Sequence, residues 1–159
     1  MIRASSRSSF HTCVWYDHPL SEGTHSKGLF RTCKFDVLQR VNFIQVSFVH
    51  SRAWSISGCT FYAVRFHLMF VKTEIQDCHF ELSMIQHLSS RGVQNSVFKL
   101  CRIRVHPRET STWKDCHFIA CEFDRTGQVV FENCTFDSCR FPNGASQPPA
   151  SQVRNTLDA

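Results

Sequence analysis

Along this chain the bulky apolar residues recur in steps of five. Phe30 and Phe35, Phe43 and Phe48, and Ile56, Phe61 and Phe66 follow this spacing. So do Phe80 and Ile85, Phe98 and Ile103, Phe118 and Phe123, and finally Phe131, Phe136 and Phe141. Thirteen of the 15 Phe belong to the series; Phe10 and Phe70 stand outside it. Between groups the step is often eight, so that 30, 43 and 56, or 118 and 131, differ by 13. A coil with residues added at some corners predicts this mixture of steps.

A second position keeps time with the first. Eight of the nine cysteines lie two residues before a Phe or Ile of the series: Cys33, Cys59, Cys78, Cys101, Cys116, Cys121, Cys134 and Cys139. A random partner at that spacing would be Phe or Ile about 14% of the time, so the pairing is a pattern. Val41, Val46, Val64 and Val129 fill the same slot where Cys is missing. In extended chain, residues two apart share a face. Each [Cys/Val]-x-Phe triplet therefore points a small and a large apolar group inward and its middle residue outward. Those middle residues include Lys34, Asn42, Thr60, His79, Arg102, His117, Glu122, Thr135 and Arg140, all polar. A helix is excluded, because neither two nor five is a helical neighbour spacing. Single triplets cannot bury themselves, whereas stacked coils form a continuous column.

With ENCTFDSCRF and DCHFIACEFD each holding two consecutive units, the chain resembles the pentapeptide-repeat family. The resemblance spans residues 29–141. It implies an all-β fold, a right-handed parallel β-helix with four five-residue units to a coil, here with inserted corner loops. The eight-residue steps, and the stretches 86–97 and 104–112 without clear units, keep a parallel β-helix with larger coils open as the alternative. The family's DNA-mimicking members are acidic, and this chain carries a formal net charge of +5, which sets that role aside. The organisation expected is a leader or cap over residues 1–28, a solenoid over 29–141, and a disordered tail over 142–159 rich in Pro, Gly, Ser and Gln.

Composition narrows the chemistry. Fifteen Phe against 3 Trp and 2 Tyr favour a dry interior over a binding surface. No apolar run approaches the ~18 residues of a membrane-spanning helix. The cysteines form no CxxC pair, and no signal-peptide core is present near the N-terminus, so reduced thiols and an intracellular, cytoplasmic location are expected. Cys78-His79 and Cys116-His117 are adjacent pairs, which a strand sends to opposite faces, so no metal site is expected. Neither catalytic nor cofactor-binding residues emerge: there is no GxSxG, no Gly-rich phosphate loop and no HExxH. Cys13, outside the series, is expected to be the most reactive thiol.

The expected function is a non-catalytic, protein-binding or structural solenoid. The rival is a nucleic-acid binder using a basic stripe of Arg31, Arg40, Arg52, Arg65, Arg102, Arg104, Arg125 and Arg140. A carbohydrate-active β-helix enzyme ranks below both. Phe123 and Phe136 are expected to be fully buried. The strong repeats stop at Phe141 with no evident cap, which predicts a homodimer through the C-terminal coil.

Overall fold

The computed structural model describes residues 9–11, 14–15, 20–105 and 110–154. Short strands, most of three to seven residues, pair in parallel into a β-solenoid of about seven turns. The strand register defines the coil. Phe30 pairs with Phe48, Phe48 with Phe66, Phe66 with Ile85, Ile85 with Ile103, and Ile103 with Phe123. One turn therefore takes 18 to 20 residues. Each turn has four sides, numbered here by the inward residue at the centre of each. Side 1 carries Phe30 and its partners, side 2 Phe35 and Ala53, side 3 Leu38 and Ile56, and side 4 Phe43 and Phe61.

Going round one turn, Phe30, Phe35, Leu38, Phe43 and Phe48 are separated by five, three, five and five residues. The eight-residue step is thus a five and a three, a short side rather than an inserted corner. Its inward residues are often not Phe: Ala53 and Val71 on side 2, Leu38, Ile56, Ile75 and Val93 on side 3. The stretch 86–97 has no inward Phe for the same reason, since Leu88, Ser90, Gly92, Val93 and Ser96 are its buried residues. Differences of 13 join different sides of the coil; the stacked equivalents lie 18 to 20 apart.

The core is a column of rings. On side 4, Phe61, Phe80, Phe98, Phe118 and Phe136 stack with successive centroids 4.7, 4.6, 4.9 and 5.0 Å apart. The ~4.8 Å rise between paired strands sets that spacing. Side-1 rings meet them edge-on, as Phe118 and Phe123 do at 5.3 Å. Twelve of the series Phe are buried, Phe123 among them. Phe136 is the correction: it is only partly buried, because no further ring lies above it in the last turn.

Two of the four corners turn throughout on a residue with positive φ, placed two after the inward residue, and the corner between sides 1 and 2 does so at Thr32, His50, Leu68 and His87. Gln45, Ala63, Leu82, Leu100, Ala120 and Ser138 form the row between sides 4 and 1, with φ of 50 to 54°. The row between sides 3 and 4 holds Arg40, Gly58, Asp77, Asn95, Asp115 and Asn133. Left-handed backbone disfavours most side chains, and Asn, Asp and Gly tolerate it best.

The cysteines add hydrogen bonds beside some of these corners. Their sulfhydryls donate to backbone carbonyls of the turn below: Cys59 to Leu38 at 3.4 Å, Cys101 to Phe80 at 3.4 Å, Cys121 to Phe98 at 3.3 Å. Ser83 and Ser51 do the same, to Phe61 and Phe30, each at 3.1 Å. Where it is Cys or Ser, the small inward residue is therefore a donor as well as a filler.

Strand pairing reaches beyond 29–141 on both sides. Ser9–His11 pairs with Leu29–Arg31, with Phe10 opposite Phe30, and Leu20–Ser26 pairs with the strand Lys34–Ile44. Val153–Arg154 pairs with Phe131 and Glu132.

Candidate binding surfaces

The four sides present their outward residues as rows, and the rows differ in chemistry. Side 1 holds six of the eight arginines in the expected stripe: Arg31, Arg65, Arg102, Arg104, Arg125 and Arg140. Arg40 lies on the corner between sides 3 and 4, and Arg52 on side 2. The side-1 row is interrupted by Ser47, Val49, Met84 and Gln86. Its charge is also partly answered. Arg102 donates from Nε and Nη2 to Asp124 at 3.1 and 3.0 Å, and Arg104 reaches the same carboxylate at 3.2 Å. The hydrogen bond to Asp124 and its charge hold the Arg102 guanidinium above its ordinary pKa.

Side 4 is mixed. Glu81 accepts from Lys99 at 3.1 Å, which with His79 nearby holds its carboxyl below the usual range. His117 and Asp137 meet at 2.7 Å. Side 3 is polar, with Gln39, Ser57, Gln76 and Gln94 in register. On its corner row, Asn133 donates to Asp115 at 3.3 Å, and alternation of Asp with Asn keeps like charges from stacking.

The corner row between sides 4 and 1 has the same backbone and different side chains. There Leu82 and Leu100 stand 47% exposed on neighbouring turns. Tyr62 and Ile44 lie beside them on side 4, and Met84 on side 1. Together they make an apolar ridge along one edge of the solenoid.

Side 2 is basic and aromatic. Lys34, Arg52 and Phe70 face outward in paired strands, and Trp54, Lys72 and Arg91 lie on the same side. Trp54 and Phe70 are each 49% exposed, and Lys72 Nζ sits 3.7 Å from the centre of the Trp54 ring.

Cys78 and Cys116 point inward while His79 and His117 are half-exposed on the opposite face, as strand alternation requires. Among the described residues no three His, Cys, Asp or Glu side chains gather in a metal-binding arrangement. The seven thiols from Cys59 to Cys139 are unbridged. A hydrogen bond with Cys101, aided by burial, pushes the Cys121 thiol up to about 12. Cys78 and Cys116 are raised further by their contacts with Cys59 and Cys134 and by burial. Cys13 lies outside the described residues.

No protein-family model matches this chain, and no curated protein sequence matches it. The fold and the rows on its surface therefore carry the functional reading. The described residues contain no helix long and apolar enough to cross a membrane.

Proposed function

We propose that this protein is a non-catalytic, protein-binding solenoid whose docking edge is the ridge of Leu82 and Leu100. A single observation supports this reading. Two corner rows have the same left-handed geometry, yet one carries Asp77, Asn95, Asp115 and Asn133, which suit that backbone in water, and the other carries two exposed Leu. Backbone geometry does not call for Leu there, and solvation opposes it. Contiguous exposed apolar residues mark contact surfaces. Three five-residue sides in each turn, with Cys two before Phe, are consistent with a divergent relative of the pentapeptide-repeat proteins. Buried, unbridged thiols fit an intracellular home.

The last turn supports a second copy as one partner. Thr135–Asp137 pairs below with His117–Ile119, and no described strand covers its other edge, while Val153–Arg154 covers the neighbouring side. An open edge and a partly exposed Phe136 suit end-to-end association. Sedimentation equilibrium at micromolar concentration tests this: a monomer at every concentration rules it out.

The ridge is tested by placing a photo-crosslinking residue at Leu100, and at Gln94 on side 3 as control, in cells of the native host. A discrete adduct at Leu100, lost with Leu82→Asp, is expected. Equal labelling at both positions would remove the ridge as the docking edge.

A further inference from the structure

Phe70 lies outside the series: every other Phe whose side chain is described packs into the core column, and among them Phe70 alone points out. It does so on side 2, beside Trp54, amid Lys34, Arg52, Lys72 and Arg91. We propose that side 2 is a platform for single-stranded nucleic acid. This goes beyond the protein-binding reading and uses a different face of the solenoid.

Charge selects a polyanion. Among the described outward residues of this side, the four cations face a single half-buried carboxylate, Asp36. None of Arg52, Lys72 and Arg91 has an ion pair with a described carboxylate, in contrast to Arg102 and Arg104 on side 1. Their charge is available to phosphates.

The rings select the kind of polyanion. Arg52 pairs with Phe70 in the parallel ladder, and Trp54 follows Arg52 by two, so the two residues are diagonal neighbours, about 8 Å apart at the backbone from strand rise and spacing. Neighbouring unpaired bases can each lie against one ring, which bases inside a duplex cannot do. Lys72 lies over the Trp54 ring and sets a positive charge beside it. Shallow hollows of about 390 and 350 Å³ lie on either side of Phe70. Arg52 and Leu68 line the first, and Lys72 and Arg91 the second, so each has a cation in its lining and shares the Phe70 ring. An acidic peptide would satisfy the cations and leave two flat rings without partners.

The test uses the full chain and a fluorescent 15-nucleotide oligothymidylate, read by anisotropy from 20 to 300 mM salt. Three phosphate contacts, from Arg52, Lys72 and Arg91, predict a slope of about −2 in log K against log salt. Trp54→Ala and Phe70→Ala should each weaken binding about tenfold or more, the size of one lost stack, with thermal stability unchanged. Arg52→Gln should flatten the slope by about 0.7. A duplex of equal length should bind more weakly, and Leu100→Asp should bind the strand as wild type does. The proposal is overturned by no salt-dependent binding at 20 mM salt, by equal affinity for the duplex, by indifference to loss of both rings, or by full displacement with oligoglutamate at equal charge concentration.

Discussion

Replacing Phe118 by Ala should be among the most damaging single changes in this protein. Its side chain is fully buried, stacked on Phe98 at 4.9 Å below and Phe136 at 5.0 Å above. Trp113 lies alongside at 5.7 Å, and edge contacts reach Phe123 at 5.3 Å and Phe131 at 5.9 Å. Truncation removes the transfer energy of the ring and leaves a cavity the stacked strands cannot close, because backbone ladders fix the distance between turns. Phe→Ala in a packed core costs ~3–5 kcal/mol, and five aromatic neighbours place Phe118 at the upper end. Phe136 has a ring on one side only and is partly exposed, so Phe136→Ala should cost about half as much, ~2 kcal/mol. Phe70→Ala, on the surface, should stay within ~0.5 kcal/mol. Urea unfolding of the three variants, followed by circular dichroism, gives the order directly. Against a domain stability of ~5–15 kcal/mol the steps are well resolved. Equal losses at Phe118 and Phe136, or a loss below ~1 kcal/mol at Phe118, would refute the stacked column as the source of stability.

Thiol accessibility should follow the turns: Cys134, half-buried in the last turn, should react with a thiol reagent before Cys121, which should stay inert up to about pH 9. Rapid native-state labelling of Cys121, read by mass spectrometry, would contradict this. His25 occupies the Phe position on side 4, stacked on Phe43 at 5.7 Å, and burial lowers its pKa. A lowered pKa means that the unfolded chain takes up the proton first, so stability is present above about pH 6.5 and falls as pH drops through the folded value. The melting temperature of wild type should therefore decline from pH 7 to 5 more than that of His25→Phe; parallel curves would count against it. Leu100→Gly, at φ 53°, relieves ~1–2 kcal/mol of left-handed strain and loses ~0.5–1 kcal/mol of backbone entropy. Calorimetry should find it neutral to stabilising, where Gly at extended Asn42 destabilises; a loss at Leu100 as large as at Asn42 would argue against the strain.

The alternation Cys-x-Phe, read alone, established extended chain, an inward and an outward face, and a solenoid to close the core. That much is local, because a strand's two-residue period is written in consecutive side chains. The size of the coil was not legible. It depends on which residues stack, and the short side is marked by Ala53, Val71 and Ser90, which have no periodic signature of their own. The role of the cysteines as donors was likewise hidden, since the carbonyls they reach belong to residues 21 to 23 positions earlier. Surface chemistry lies furthest from the sequence. The eight arginines read as one stripe fall on two sides and a corner, and only the register shows Arg102 and Arg104 sharing Asp124. The same register brings Trp54 and Phe70, 16 residues apart, to neighbouring places on side 2, and raises Leu82 and Leu100 onto one edge. A repeat fixes what each residue does within its own turn. Which turns come to lie over one another, and so which side chains form a surface, is decided by closing the coil.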